Sequence, residues 1–166
     1  MRLDAFENRF RNFIEEIVLP ADTTGVTFYS YRNLGRGVTR GADLEAIVRL
    51  GRLRVEGGVG RLRAFDPRSG LALLNRPPAT ARVGVSGTLW GGLAGTVNAV
   101  WTARTPVSRS ETGVDGYRDD FVRVNARLTQ TLVRRGFGAV QLQIGANNLL
   151  DARPQLWPGF TGRQLY

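Results

Sequence analysis

From Asp119 to Ala146 the side chains alternate between apolar and polar at nearly every residue. Val122, Val124, Ala126, Leu128 and Leu132 fall on one side, and Arg123, Asn125, Arg127, Thr129 and Thr131 on the other. After Arg134-Arg135-Gly136 the pattern resumes, setting Val140, Leu142, Ile144 and Ala146 against Gln141, Gln143, Gly145 and Asn147. Successive strand side chains point to opposite faces, so a period of two predicts two strands, each with one apolar and one strongly polar face. Such strands suit the wall of a soluble sandwich or of a membrane barrel.

Upstream the same alternation predicts hairpins with definite registers. Thr39 to Leu50 alternates, with Ile47 the exception, and Gly51-Arg52 reads as a two-residue loop. Folding back there pairs Leu50 with Leu53, Val48 with Val55 and Leu44 with Val59, and brings Glu56 diagonally near Arg49 for a cross-strand ion pair. Trp90-Gly91-Gly92, counted as a three-residue loop, pairs Leu89 with Leu93, Val85 with Val97 and Val83 with Ala99. A turn at Arg134-Arg135-Gly136 pairs Leu128 with Leu142 and Ala126 with Ile144, and sets Arg127 opposite Gln143. In these registers Arg61 falls on the apolar face. It either snorkels to lipid headgroups or is turned inward by a bulge near Gly57-Gly58-Gly60, and the bulge is the expectation. Phe6, Phe10, Phe13, Ile14 and Ile17 recur at helical spacing, so the segment Phe6 to Ile17 reads equally as strand and as short amphipathic helix.

Between the tight turns run longer connections rich in Gly, Pro, Asp, Ser and Thr: Leu19 to Val26, Phe65 to Ala79, Arg104 to Tyr117 and Asp151 to Thr161. Short and long connections alternate, which sorts all tight turns to one end of the sheet and all long loops to the other. Outer-membrane barrels have this asymmetry. Trp90, Trp101, Phe121, Phe137 and Trp157 stand near strand ends, matching interfacial aromatic girdles, although aromatic rings also close the cores of soluble sheets.

Composition narrows the choice. The 166 residues suffice for one domain, and no run of eighteen apolar residues provides a transmembrane helix. Cysteine and histidine are both absent, which removes thiol chemistry, disulfides, histidine-based catalysis and the usual zinc sites. Metalloenzyme and Ser-His-Asp readings end there, and no enzyme and no cofactor is expected. The net charge of +9 raises nucleic-acid binding. Yet every basic residue is an arginine, scattered rather than clustered along the chain, and no nucleic-acid partner is expected. Met1-Arg2-Leu3-Asp4-Ala5 lacks a signal-peptide pattern, so a processed chain, a fragment or a mis-started frame is expected.

Four motifs in order then resemble one family. Tyr31 to Glu45, with Asn33, Gly41 and Glu45 at the characteristic places, is similar to a barrel strand of TonB-dependent outer-membrane receptors. Asn75-Arg76-Pro77-Pro78 resembles the arginine–proline pair that closes an extracellular loop in that family. Asn148-Leu149-Leu150-Asp151 resembles the signature at the top of the penultimate strand. Pro158 to Tyr166, with Gly162, Arg163 and Tyr166, resembles the approach to the last strand. Two departures stand out: Ala79 replaces the histidine many members carry after the prolines, and the chain stops before a terminal aromatic, which suggests truncation.

The resemblance implies an all-β fold, an antiparallel up-and-down meander of about eight strands, in which residues 1–166 form the C-terminal segment of a transmembrane barrel without its plug. Asp43, Glu45, Arg123, Asn125, Arg127, Gln141 and Gln143 would face the lumen, and the motif residues would be structural, through turn chemistry, rather than ligand-binding. The implied function is uptake of a siderophore, cobalamin or similar large nutrient with TonB-derived energy, in the outer membrane of a Gram-negative bacterium. The implied partners are membrane lipid, the nutrient, and the plug and TonB complex through a missing N-terminal part. The alternatives are a stand-alone small outer-membrane barrel with a structural or adhesive role, and a soluble basic β-domain binding nucleic acid or a lipid-like ligand. Two open sheet edges favour aggregation, so these residues alone are not expected to transport anything.

Overall fold

Among the described residues the period-two runs become strands. In the computed structural model, which describes residues 1–12, 14–19, 29–33, 35–110, 113–135 and 138–154, eleven strands and no helix occur among the described residues. They are β1 (Arg2–Arg11), β2 (Ile14–Val18), β3 (Tyr29–Asn33), β4 (Arg36–Leu50), β5 (Leu53–Phe65), β6 (Ala79–Thr88), β7 (Leu93–Thr102), β8 (Thr105–Ser110), β9 (Gly113–Arg118), β10 (Phe121–Arg135) and β11 (Gly138–Ala146). Seven of them form one antiparallel sheet in the order β1-β4-β5-β6-β7-β10-β11. The pairs β2–β3 and β8–β9 are separate two-stranded hairpins inserted where the chain passes from β1 to β4 and from β7 to β10. With β1 and β11 at opposite edges, the sheet is an unclosed segment of barrel wall.

Within the segment read equally as strand and as helix, Phe6 to Arg11 and Ile14 to Ile17 are strand. β1 pairs with β4 over its full length, Asn12 takes a left-handed φ of 56°, and β2 follows. The spacing could not separate the two readings, because residues four apart share a face in a strand as well as in a helix. Phe6 lies opposite Gly41, and Phe10 opposite Gly37. Each ring covers a position where β4 has no side chain.

The first two hairpins hold the predicted registers. Leu50 pairs with Leu53, Val48 with Val55 and Leu44 with Val59, around a left-handed Gly51. Val85 pairs with Val97 and Val83 with Ala99, while the Leu89 N–H donates to the Leu93 carbonyl at 2.8 Å. Glu56, however, engages Arg54 of its own strand at 3.0 Å rather than Arg49. The third hairpin is offset by two residues: Leu128 pairs with Ile144, Ala126 with Ala146 and Thr129 with Gln143. A slip of two leaves every side chain on its own face, so the hydrophobic pattern is blind to it. The strands reach Arg135 and resume at Gly138, beyond the turn expected at Arg134-Arg135-Gly136, and a bulge between Thr131 and Val133 absorbs the mismatch. No bulge occurs in β5. Its register with β4 runs unbroken from Leu53 to Phe65, so Arg61 stays on the apolar face opposite Ala42. Three glycines did not bend the strand because continuous pairing on both sides, with β4 and β6, holds it straight.

Burial is concentrated at the long-loop end. Leu73, Leu74, Ala103 and Val107 are buried there with Thr105, Ser108, Arg109 and Asp66. The connection 66–78 folds over the polar side of the sheet, its Leu73 within reach of Gly37 and tied by its N–H to the Ala64 carbonyl at 3.0 Å. It is also tied to β8, through the Asn75 N–H to the Pro106 carbonyl at 2.8 Å and the Arg109 guanidinium to the Ala72 carbonyl. The loop expected from Arg104 to Tyr117 contains the β8–β9 hairpin, whereas the one expected from Leu19 to Val26 falls between β2 and β3, and β2 packs against β8. By contrast, Leu3, Val48, Leu50, Val59, Val83, Val97, Leu128, Leu142 and Ile144 on the apolar face are exposed.

A Cβ at Gly41 would lie 2.5 Å from the Phe6 ring and 2.8 Å from the Arg61 carbonyl oxygen. Gly41→Val should therefore destabilise the folded protein by about 1–3 kcal/mol through overpacking. Phe6→Ala in the same background should recover part of the loss, read from urea-unfolding midpoints in detergent. An unchanged midpoint for Gly41→Val would show that β1 does not hold its ring there.

Candidate functional site

All seven candidate lumen residues share one face of the sheet. Arg123, Asn125 and Arg127 alternate along β10, Gln141 and Gln143 stand opposite Thr131 and Thr129, and the pairing ladder carries the same face across to Asp43 on β4. The face is continued by Thr96 and Asn98 of β7 and by Arg82 and Ser86 of β6.

Glycines let its charged side chains lie down. Glu45 of β4 reaches Arg82 of β6 across the width of β5, where Gly58 stands between them and its missing Cβ would meet the Arg82 side chain at 3.3 Å. Asp43 lies over Gly60, within 2.5 Å of the position a Cβ would take there, with the Thr80 hydroxyl on the other side. Glu56 likewise lies over Gly84. These acids are thus directed along the sheet surface rather than away from it.

Farther along, the Asn125 amide donates to Asn98 at 3.0 Å, and the Asn125 oxygen accepts the Asn148 N–H at 2.9 Å. The structure so brings together a face residue and a motif residue that the sequence kept apart. Asn148 is itself left-handed, with φ 54°. Its side-chain oxygen accepts the Ala152 N–H at 3.0 Å, its amide donates to the Ala152 carbonyl at 3.1 Å, and its carbonyl accepts the Asp151 N–H at 2.9 Å. The Leu149 N–H caps β10 through the Val124 carbonyl at 2.8 Å. Asp151 pairs with Arg153, and that hydrogen bond holds its carboxyl below the usual range.

The remaining motif residues are spread over the loop end. The Asn33 oxygen accepts the Gly35 N–H at 2.7 Å and sets a turn at the head of β4, where Gly35 is left-handed. Arg76 contacts the Asn75 carbonyl at 3.4 Å, and Pro77 leads back to β6, where the Pro78 carbonyl accepts the Leu62 N–H at 2.9 Å. Gly162, Arg163 and Tyr166 lie outside the described residues.

Sequence reasoning missed the Asp66 turn. Its carboxylate accepts the Arg68 N–H at 2.9 Å and the Ser69 hydroxyl at 2.8 Å, and its carbonyl accepts the Gly70 N–H at 2.8 Å. Burial opposes the charge, but the backbone of Arg68 and Ser69, the Ser69 hydroxyl and the Arg68 charge together outweigh it and hold the carboxyl below its ordinary value. The run Asp66-Pro67-Arg68-Ser69-Gly70 was the available signal, since Asp followed by Pro and Gly is turn chemistry. Arg109 carried no such signal, because its burial depends on a connection more than thirty residues upstream. Among the described residues no group of three or more acidic side chains could hold a metal, and no helix is long and apolar enough to cross a membrane.

Among the described residues, a sheet with one uncovered apolar face, one polar face and the long connections 66–78 and 103–120 at one end has the build of a β-barrel wall. The family described as TonB dependent receptor-like, beta-barrel matches residues 1–149, and the chain belongs to it. Two structures of variants of the ferric enterobactin receptor of Pseudomonas aeruginosa share the fold at 16% identity. They give TM-scores of 0.67 and 0.68 over 89% and 96% of this chain. The chain spans only 23% and 25% of their lengths. No curated protein matches the sequence. The family is one of transport receptors and not of enzymes.

Because the folded-state carboxyl of Asp66 titrates below its unfolded value, its stabilisation is full above the unfolded range, about pH 4. It is lost as pH falls through the lower, folded value. Limited proteolysis of the 66–78 connection should accelerate over that acid window in the wild type. Asp66→Asn should raise cleavage already at neutral pH and flatten the acid dependence; an Asn variant with the wild-type profile would remove Asp66 from this role.

Proposed function

We propose that residues 1–166 form part of the wall and outer loops of an outer-membrane receptor that takes up a siderophore, cobalamin or similar large nutrient with TonB-derived energy. The observation that carries the reading is the uncovered apolar face, with Leu142 and Ile144 of β11 at 51% and 65% exposure, in a chain of this family. In a bilayer that face meets hydrocarbon, and the ladder satisfies the backbone as hydrocarbon requires. Face Asp43, Arg123, Asn125, Arg127, Gln141 and Gln143 then line the lumen, where they meet the plug or one another. The reading places the protein in the outer membrane of a Gram-negative bacterium and gives this segment no catalytic step and no cofactor. The same fold in a ferric enterobactin receptor supports a ferric siderophore as the first nutrient to test. No nucleic-acid partner is part of the reading.

The two faces should respond oppositely to one substitution. Ile144→Arg places a cation on the lipid side and should cost about 2–4 kcal/mol near the bilayer midplane, lowering the folded, heat-modifiable fraction in outer membranes. Gln143→Arg, one residue away, should assemble normally. Equal tolerance of both would remove the lipid assignment. For transport, uptake of a labelled ferric siderophore by cells expressing the whole protein should disappear when TonB is deleted. Uptake that survives the deletion, or none of either ferric siderophore or cobalamin, would overturn the proposed transport.

A further inference from the structure

On the apolar face, the side chains change character at one height. Following the pairing across β1, β4 and β5, the rows Leu3–Leu44–Val59 and Ala5–Ala42 are aliphatic, and Arg61 completes the second. The next row is Glu7–Arg40–Arg63, then Arg9–Val38–Phe65, and then Arg11 with Arg36. Six exposed arginines thus share one patch, and the acid within it is Glu7, which bonds both Arg9 and Arg40 at 2.6 Å. Elsewhere in the described structure arginines pair with carboxylates singly, as in Arg2–Asp4, Arg54–Glu56 and Arg82–Glu45. On the neighbouring part of the same face, the corresponding row continues through Ala79 and ends near Asp120, which accepts a hydrogen bond from the Trp101 indole at 3.1 Å. The positive patch is therefore local to β1, β4 and β5.

Its geometry is ordered. The guanidiniums of Arg40 and Arg63 lie 5.8 and 4.9 Å from the centroid of the Phe65 ring, which limits their freedom, and Arg40 is further held through its Nε by Glu7. Arg40 lines an open groove of about 400 Å³ together with Arg9, Arg11 and Arg36, and Val38, Phe65 and Pro67 are among its other lining residues. Its height is set by the sheet. Eight residue steps from Leu50 to Ala42, at about 3.3 Å each and with strands tilted by roughly 40°, place the first arginine row about 20 Å above the tight-turn end, near the rim of a ~25 Å apolar band. Planar guanidiniums at that rim match phosphate oxygens in geometry as well as in charge.

We propose that this arginine patch binds the phosphate-bearing headgroups of outer-leaflet lipid, so that the receptor carries a bound phosphorylated glycolipid on the outside of its wall. The proposal rests on the receptor reading, which turns the loop end toward the cell exterior. It concerns the outer surface of the wall, away from the lumen where nutrient would pass.

The test uses the whole protein carrying this chain, purified in detergent and placed in nanodiscs containing lipid A or its dephosphorylated form. The bound lipid is quantified by native mass spectrometry, and a heat-dependent gel shift reports the folded barrel. The wild type should retain lipid A at least about tenfold better than the dephosphorylated form, as expected for several arginines acting at a charged surface. The triple variant Arg40→Gln/Arg61→Gln/Arg63→Gln should lose that preference. Arg49→Gln/Arg52→Gln/Arg54→Gln, at the tight-turn end, should keep it, and millimolar inorganic phosphate should not displace the lipid. A folded wild type that retains both lipids equally overturns the proposal without needing any variant. So does a folded triple variant with undiminished preference, and so does displacement by inorganic phosphate, which would indicate a soluble anion instead. If the wild-type protein shows no heat-dependent shift, the receptor reading itself fails and the proposal falls with it.

Discussion

Backbone pairing without any covering layer is the constraint on which the other features depend. Away from the loop end the sheet has no layer over its apolar face and cannot draw stability from a packed interior, and aliphatic side chains of β4, β5, β6, β7, β10 and β11 stay exposed there. Hydrocarbon can accommodate such a face only if each N–H and C=O is satisfied within the sheet. The interior pairs meet that demand: β4 with β5, β5 with β6, β6 with β7, and β7 with β10 run without a register break. The one irregularity in the large sheet, between Thr131 and Val133, sits beside the tight-turn end of β10, away from the middle of the apolar band.

Glycine serves that wall in two different ways. At Gly51, Gly91 and Gly92 it supplies the left-handed backbone of tight turns. At Gly41, Gly58, Gly60 and Gly84 the strands are extended, and the missing side chain makes room for a neighbour to lie flat: Phe6, Arg82, Asp43 and Glu56 respectively. The ion pairs so formed are exposed and contribute about 0–1 kcal/mol each. Their consequence is geometric, since they keep charged groups against the polar face.

The loop end is built on a different principle. There the chain does bury side chains, and the buried polar groups are tied to backbone: Asp66 to its own turn, Thr105 to the Ala103 carbonyl at 2.7 Å, and Arg109 to Ala72. Connections anchored in this way hold a defined shape above an open wall. A receptor that captures a large ligand with its loops needs such a preorganised surface, since ordering loops on binding costs affinity.

Much of this was legible in the chain, and the limits of legibility have physical causes. Period two fixed which residues share a face, because strand geometry leaves no other assignment, and the Gly51 and Gly91-Gly92 turns fixed two registers to the residue. The same period could not see a slip of two at Leu128, nor tell strand from helix at Phe6 and Phe10, because both alternatives keep the same faces. Glycines in β5 suggested a bulge, but whether a strand bends is decided by the neighbours on both sides. The chain's own chemistry therefore determined an amphipathic antiparallel wall with sorted loops. Only the tertiary structure decided that Glu45 meets Arg82 across Gly58, that Asn125 holds Asn148, and that arginines scattered from Arg9 to Arg63 converge on one patch. Those contacts join residues far apart in sequence, and cross-strand register, which no local pattern encodes, is what brings them together.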